Sequence, residues 1–296
     1  MFIYKYSQLN KKISYNETKQ INCGGIKEYH IGQLKLLISE IMFLTKKSKP
    51  FNKVLYVGAA EGYHIAKLAD MFPNLIFDLW DPGKFCVDER NNINIFNNFF
   101  TNANAASYKN QGNNILFISD IRTLDIAKFT KEKNEDKIDQ LIEDDNNKQL
   151  KWIQIIKPIY AFLKFRPPYR PGMTKYLNGT IYLQCYSPSS TETRLLTNNY
   201  NDLIEYNNTD FDEKLAYFNC FIRNDKNLIK WKLVMEKYNI KNIWDNNYAF
   251  YVLYYYLDKM GYSKSDDDIA KLFNEIIKFL QIKYPKKYDY LFHQYS

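Results

Sequence analysis

Short apolar runs alternate with amphipathic segments over most of the chain. Runs of the length of a β-strand predict strands at residues 53–58, 75–81, 93–100, 115–119, 161–166 and 180–186. Apolar positions that share one face of a helix predict helices at 31–46, 64–72 and 151–160. Because apolar strands alternate with helices, the pattern predicts an α/β fold, a doubly wound, mostly parallel sheet with helices on both faces.

The rest of the chain indicates one domain with an arm. Residues 1–30 are polar and predict an irregular N-terminal arm, while the charged segment 123–149 predicts a loop or the start of a solvated helix. Neither a repeat nor a clear boundary divides residues 31–296, so we expect a single domain there. Further helices are predicted at 211–222, 248–260 and 266–280.

Composition narrows the class of protein. Hydrophobic residues make up 46 % of the 296 residues, which excludes a globally disordered chain. The chain has 41 Lys and Arg against 33 Asp and Glu. If the excess positive charge is clustered on the surface, it favours an anionic partner such as nucleic acid; if it is dispersed, it contributes only to solubility. We expect a cytoplasmic protein with no signal peptide and no membrane partner. We also expect no metal site, and free thiols at Cys23, Cys86, Cys185 and Cys220.

The most informative segment runs from Val54 to His64, where an apolar strand ends in a Gly-x-x-x-Gly loop before a helix. Glycines at such a turn let the backbone bend sharply and approach a ligand closely. About twenty residues later a second strand ends at Asp81, where an acidic side chain can hold the ribose hydroxyls of an adenosine. This spacing alone fits both a nicotinamide cofactor and S-adenosylmethionine.

Four charged residues stand where an α/β sheet would bring them to its ligand crevice. Asp120 closes an apolar strand at its carboxyl end, and Lys164 lies inside another apolar strand. Glu192 follows a strand and a Ser/Pro loop, and Lys35 interrupts the first amphipathic helix. Each residue alone is more typical of a turn, a cap or a solvated surface, so any inference rests on the four together.

Several strings in the sequence resemble those of a known family. They are Gly32-Gln33-Leu34-Lys35-Leu36-Leu37, Tyr56 to Ile65, Ile118-Ser119-Asp120-Ile121-Arg122, Leu163 to Pro168, Glu192 to Leu196 and Ile222-Arg223-Asn224. In this order and spacing they resemble the poxvirus cap-specific mRNA (nucleoside-2′-O-)methyltransferases, which double as the small, processivity subunit of the viral poly(A) polymerase. The resemblance runs from about residue 15 to about residue 260.

The resemblance implies a Rossmann-like S-adenosylmethionine-dependent methyltransferase fold with a tetrad of Lys35, Asp120, Lys164 and Glu192. A ribose 2′-hydroxyl needs a base before it can attack a sulfonium methyl group. A lysine can serve when burial or a second cation lowers its pKa. Lys164 would be this base, close to Lys35, while the two carboxylates orient the lysines. The sulfonium needs no metal to leave.

The same resemblance implies S-adenosyl-L-methionine as the cofactor. Glu61 stands where the family loop has proline, so its carboxylate would either approach the methionine ammonium or face water. The residues that would bind the cofactor are Gln33, Tyr56, Gly58, Ala60, Gly62, His64 and Asp81, with Phe100 or Ile121 at the adenine.

For a methylated cap, the resemblance implies a stacking pair at Tyr15 and Tyr169. Aromatic faces on both sides of the cationic N7-methylguanine add cation–π attraction to stacking. The resemblance places an acidic residue that accepts hydrogen bonds from the guanine edge at Asp212 or Glu213. Pro171 occupies the position of a second acidic residue and cannot accept these bonds through its side chain.

The implied function is methylation of the ribose 2′-hydroxyl on the first transcribed nucleotide of capped mRNA. Two alternatives stay open. The first is that the protein is an RNA-binding processivity subunit of a poly(A) polymerase and binds the catalytic subunit of that polymerase. This could also be a second role beside methylation. The second is 2′-O-methylation of ribosomal or transfer RNA. Capped mRNA is the expected partner, in the host cytoplasm or the virion if the protein is viral.

Overall fold

A seven-stranded sheet forms the centre of the protein. The computed structural model describes residues 3–14, 17–18, 31–123, 135–188 and 190–293. The strands are β1 Lys53–Val57, β2 Ile76–Trp80, β3 Ile93–Phe96, β4 Ile115–Ser119, β5 Tyr160–Phe165, β6 Met173–Leu177, β7 Thr180–Tyr182, β8 Thr193–Thr197 and β9 Leu203–Asn207.

The strand order of the main sheet is β3-β2-β1-β4-β5-β8-β7. Neighbouring strands from β3 to β5 are parallel, and β8 runs antiparallel to both β5 and β7. The residues from Val54 to Val57 are buried, as the continuous apolar run predicts for a central parallel strand. β6 and β9 form a separate antiparallel pair. The predicted α/β class with a mostly parallel sheet is confirmed.

Two groups of helices flank the sheet. The helices are α1 Gly32–Lys47, α2 Tyr63–Met71, α3 Asn102–Ser107, α4 Glu135–Ile156, α5 Asn208–Tyr217, α6 Lys232–Lys237, α7 Trp244–Met260 and α8 Asp266–Lys283. In the first group α1, α2, α7 and α8 contact one another, and in the second α3 contacts α4. Phe43 of α1 stacks on Phe162 of β5 with ring centroids 4.9 Å apart, which joins the first group to the sheet.

Several predicted boundaries were wrong. The predicted strand at 93–100 ends at Phe96, and the one at 180–186 ends at Tyr182. The charged segment after 135 is helical, and the helix predicted at 151–160 is its last part. Lys157 adopts a φ of +53° and Pro158 follows, so this helix cannot continue. Charged helical faces and short mixed strands carry weak periodicity, and for that reason β6, β8 and β9 were also missed.

The described part of the N-terminal arm packs against the domain. Leu9 and Ile13 are buried, which the polar composition of the segment concealed. The backbone nitrogen of Leu183 donates to the Tyr4 carbonyl at 3.0 Å, and that of Ile13 donates to the Glu213 carbonyl at 3.2 Å. The described part of the arm, which includes a short 3-10 helix at Tyr6–Gln8, is therefore held to the sheet edge and to α5.

Candidate active site

The site lies where the strand order of the sheet reverses. β1 has β2 on one side and β4 on the other. At such a switch point a crevice opens at the carboxyl ends of the two strands. Gly58 follows β1 with a φ of +83°, and a Cβ atom there would lie 2.6 Å from the backbone nitrogen of Ile121, just beyond β4. Glycine is therefore required at this crossing.

Glu192 forms the centre of a charged cluster at this crevice. Its carboxylate oxygens lie 2.9 Å from Lys35 Nζ and 3.1 Å from Lys164 Nζ. Lys164 Nζ also lies 3.5 Å from Asp120 Oδ1, and Arg122 Nη2 lies 2.9 Å from Glu192 Oε2. The structure thus brings together all four residues of the predicted tetrad. Their catalytic role stays a prediction.

Arg194 of β8 completes the cluster. Its Nη2 donates to Asp120 Oδ1 at 2.7 Å, and β8 pairs it with Lys164 in the sheet register. Burial alone would raise the pKa of Asp120, but the surrounding cations, Arg194 first, lower it to about 2. Burial likewise opposes ionisation of Glu192, yet Lys164 and the other cations hold its pKa well below the usual range. Both carboxylates are therefore ionised at neutral pH.

The two lysines differ in what they can reach. The Lys35 side chain is only 4 % exposed, and burial lowers the pKa of its amine despite the attraction of Glu192. The Lys164 side chain is 14 % exposed and lines, together with Glu192, a cavity of about 120 Å³. Ile121, Arg122, Arg166 and Tyr169 form other walls of this cavity. Lys164 is therefore the amine of the tetrad that faces space for a substrate.

The glycine loop and Asp81 lie side by side at the end of β1 and β2. Gly62 begins α2 with a φ of +70°, and a Cβ atom there would lie 2.8 Å from the Ala59 carbonyl oxygen. Asp81 Oδ1 accepts a hydrogen bond from the Gly83 nitrogen at 2.7 Å, and its Oδ2 has no hydrogen-bond partner among the described residues. Ala60 lies against Gly83. This half-buried carboxylate oxygen fits a ribose hydroxyl donor.

A buried hydrogen-bond network lies behind the loop. Glu40 of α1 accepts from the Tyr56 hydroxyl at 2.6 Å, and its other oxygen lies 3.0 Å from His64 Nε2. Gln33 Oε1 accepts from the His64 backbone nitrogen at 3.0 Å. Tyr56 and His64 therefore hold the loop in place through Glu40. Direct contact of Gln33, Tyr56 or His64 with a cofactor stays a prediction.

The two candidates for an adenine pocket lie in different surroundings. The Phe100 ring is buried against Trp80 and Trp152, with centroids 5.3 Å and 5.1 Å away. Ile121 is half-buried and lines the cavity next to Lys164.

Glu61 has partners on the last helix and beyond it. Its carboxylate accepts a hydrogen bond from the Tyr284 hydroxyl and lies 3.6 Å from Lys283 Nζ. The Glu61 side chain is 55 % exposed to solvent, and these two contacts tie the glycine loop to the end of α8.

Tyr169 presents an aromatic face at the cavity. It is 53 % exposed, and the Arg166 guanidinium carbon lies 3.1 Å from its ring centroid. Arg166 Nη2 also donates to Asp212 Oδ1 at 3.1 Å, whereas Glu213 lies 3.4 Å from Lys12 Nζ. Asp212 is therefore the acid that the structure connects to Tyr169. The other predicted stacking residue, Tyr15, lies outside the described residues.

α4 holds the segment that carries Tyr169. Asp139 is buried, and its two oxygens accept from the backbone nitrogens of Tyr169 at 2.6 Å and Arg170 at 2.8 Å. Asn146 of the same helix donates to the Arg166 carbonyl at 2.9 Å. Both oxygens of a buried carboxylate are thus used to fix one short stretch of backbone.

Comparison with known proteins agrees with this geometry. Residues 2–282 match the family model described as "Poly A polymerase regulatory subunit". The chain belongs to this family. It is also 24 % identical over 310 residues to a cap-specific mRNA (nucleoside-2′-O-)-methyltransferase of Myxoma virus strain Lausanne, an alignment that covers 95 % of this chain and 85 % of the relative. The protein of the same name from strain Uriarra matches with the same identity and coverage. The resemblance predicted from the motifs is confirmed.

Some residues of the candidate active site were not predicted from the sequence. Arg194 stands inside the buried strand Thr193–Thr197, and a charge there is the signal that could have identified it. Arg122 follows Asp120 within the same quoted string and was given no role. Asp139 lies in a segment already rich in acids, so nothing in the sequence distinguished it.

The cysteine prediction was partly wrong. Cys86 and Cys185 are free, whereas Cys220 is disulfide-bonded, and Cys23 lies outside the described residues. Pairing depends on the distance between Cβ atoms in the folded chain, which separation along the sequence does not give. The described residues include no group of three His, Cys, Asp or Glu side chains placed to hold a metal ion. No helix in the described ranges is both long and apolar enough to span a membrane.

Proposed function

We propose that this protein is an S-adenosylmethionine-dependent mRNA methyltransferase that modifies the ribose 2′-hydroxyl of the first transcribed nucleotide of capped RNA. The observation that carries the proposal is the cluster in which Glu192 bridges Lys35 and Lys164 beside the cavity. The names of the Myxoma virus relatives support the same activity.

For this reaction the protein must supply a base and align the 2′-hydroxyl with the methyl group. When bound, S-adenosylmethionine would supply a sulfonium methyl group for in-line transfer to the ribose oxygen, with the neutral thioether as the leaving group. Lys164 accepts the proton of the 2′-hydroxyl, since it is the tetrad amine that faces the cavity. Asp120 and Glu192 hold that amine from two sides and are themselves held by Arg194 and Lys35.

The residues around the glycine loop fit the cofactor. Gly58 and Gly62 leave the backbone at the carboxyl end of β1 without side chains, so a ligand can approach it closely. Asp81 would accept from the ribose hydroxyls through the oxygen that has no partner in the described part of the chain. Ile121 is the better candidate beside the adenine than Phe100, because Phe100 is enclosed by tryptophans.

The substrate side of the cavity fits RNA. Arg166 Nη1 and Gln149 Oε1 belong to cavity-lining residues and have no hydrogen-bond partner among the described residues. Buried polar atoms of this kind are usually satisfied by a ligand or by water. Tyr169 would stack on the methylated guanine of the cap with the face that Arg166 does not cover, and Asp212 would lie close to it.

Methyl transfer to short capped and uncapped RNA tests the proposal. We expect transfer to RNA that carries an N7-methylguanosine cap, with the methyl mapped by nuclease digestion to the 2′-oxygen of the first nucleotide. Transfer to a base, or none with either RNA, would contradict it. Equal transfer to uncapped ribosomal or transfer RNA would favour the alternative of a non-cap RNA 2′-O-methyltransferase.

A second role as a poly(A) polymerase processivity subunit is favoured by the family description. We infer that the protein binds a poly(A) polymerase catalytic subunit and lengthens the tails which that subunit makes. Tail length with and without the protein tests this role, and the Lys164→Ala variant separates it from methylation, because the loss of a base should not shorten tails. We place both activities in the host cytoplasm, a proposal that subcellular fractionation tests.

A further inference from the structure

Three lysines lie together at the end of α1 that is remote from the proposed active site. Lys46 and Lys47 are in its last turn, whereas Lys35 is in its first. At 1.5 Å per residue, Lys46 lies about 17 Å along the helix axis from Lys35. Lys5 joins them from the N-terminal arm, where its backbone forms a β-bridge with Tyr182.

Each of these lysines lies against a tyrosine ring. Lys46 Nζ is 4.9 Å from the ring centroid of Tyr182 and 3.2 Å from its hydroxyl. Lys47 Nζ is 3.9 Å from the centroid of Tyr160, which begins β5. Lys5 Nζ is 5.3 Å from the centroid of Tyr4, and Lys46 Nζ is 5.6 Å from the same ring. We call these three lysines and three tyrosines the lysine–tyrosine patch.

The patch contains no counter-charge. None of its lysines forms a salt bridge with a carboxylate among the described residues, and the three ammonium groups lie close enough together for Lys5 and Lys47 to act on Lys46. Burial first, and then the nearby charges of Lys5 and Lys47, lower the pKa of Lys46 to about 8. The partial negative charge at the end of α1 favours cations in its last turn but does not explain Lys5, which comes from another segment.

A cluster of like charges without a partner is stabilised by an anion that binds across it. We propose that the lysine–tyrosine patch binds phosphates of RNA and forms a second RNA contact, remote from the site of methyl transfer. This proposal rests on the proposed function, in which the substrate is a polyanion. Lysine ammonium groups contact phosphates as point charges and need no sequence in the RNA, which suits the part of a transcript beyond its cap.

The test uses the full chain with the double substitution Lys5→Gln and Lys47→Gln, which leaves the half-buried Lys46 in place. The matched control is Lys232→Gln with Lys278→Gln, because both lysines are exposed and the net charge changes equally. The probe is uncapped RNA of about 30 nucleotides, and its affinity is measured as a function of salt concentration. The thermal unfolding midpoint of each variant is compared with that of the wild type.

We expect the patch variant to bind the RNA on the order of tenfold more weakly than the wild type at low salt. The magnitude of the slope of log affinity against log salt concentration should decrease by about 1.4, because two phosphate contacts are lost. The control should stay close to the wild type. A patch variant that matches the control in affinity and slope would overturn the proposal and favour an acidic protein partner for this surface.

Methyl transfer to a capped trinucleotide separates this proposal from the proposed function. Because its methylated ribose lies at the active site, about 17 Å along α1 from the patch, a capped trinucleotide should be methylated by the patch variant as by the wild type. If no protein, wild type included, methylates it, the proposed function fails, while weaker RNA binding by the patch variant would still support the patch. Equal loss of trinucleotide methylation and RNA binding would assign the patch to the active site and refute a separate contact.

Discussion

Replacing Asp120 by asparagine removes one charge from the buried cluster and keeps its shape. The carboxylate lies 2.7 Å from Arg194 Nη2 and 3.5 Å from Lys164 Nζ. Its pKa falls from an ordinary 3.8 to about 2. A difference of this size corresponds to about 2 kcal/mol of stability at neutral pH. We therefore expect Asp120→Asn to lower the free energy of unfolding by about 2 kcal/mol, since the 2 % exposed Arg194 loses the nearer of its two carboxylate partners.

The pH dependence of this loss has a definite sign. The folded-state pKa is depressed, so the contribution of Asp120 is complete above about 4, the pKa of the unfolded chain. It declines as the pH falls through the folded-state pKa of about 2. The difference in stability between wild type and Asp120→Asn should therefore be largest at neutral pH and should shrink steadily below pH about 4.

Urea unfolding followed by tryptophan fluorescence at several pH values measures both quantities. Asp258→Asn is the matched control, since its side chain is 33 % exposed and its carboxylate pairs with the surface residues Lys259 and Lys264. That control should leave the urea midpoint close to the wild-type value. A stability loss at neutral pH no larger than that of the control, or a loss that acid does not diminish, would refute the electrostatic account of the cluster.

Three further predictions concern the ligands. Asp81→Ala should weaken S-adenosylmethionine and its demethylated product alike, by about 1–3 kcal/mol in calorimetry, because a charge-assisted hydrogen-bond acceptor is lost. Tyr169→Ala should cost about 1–3 kcal/mol of cap affinity and reduce selectivity for the methylated guanine, while Phe is tolerated, since the ring face does the binding. Asp139→Asn should reduce the same selectivity without changing cofactor affinity, because it positions the Tyr169 backbone. Unchanged cofactor affinity would contradict the first prediction, unchanged cap affinity the second, and unchanged selectivity for the methylated guanine the third.

The glycine loop could be predicted from its local pattern, whereas the tetrad was predicted from the resemblance of several strings to a known family, because each of its residues alone is typical of ordinary positions. Gly58 follows the apolar run from Val54 to Val57, Lys164 is a charge inside an apolar strand, and Asp120 comes directly after another. Such departures from a strong pattern mark functional positions. The parallel order of the strands then brings their carboxyl ends together, as the topology confirms.

Residues whose role depends on packing could not be predicted in this way. Glu40 looks like any helical acid until the fold brings Tyr56 and His64 against it. Asp139 is one acid among many in its segment, and only the return of the chain after β5 gives it the Tyr169 nitrogen as a partner. Two partners of Glu61, Lys283 and Tyr284, come from more than two hundred positions away, and no local pattern in the sequence can predict contacts at that separation.

The most direct test of the central claim compares wild type with Lys164→Arg in methyl transfer to short capped RNA, with cofactor affinity measured on the same preparations. Arginine keeps a positive charge beside Glu192 and Asp120, but a guanidinium does not act as a base near neutral pH. We predict that Lys164→Arg binds S-adenosylmethionine like the wild type and transfers almost no methyl groups. Substantial transfer by this variant would contradict the assignment of Lys164 as the group that takes the proton from the 2′-hydroxyl.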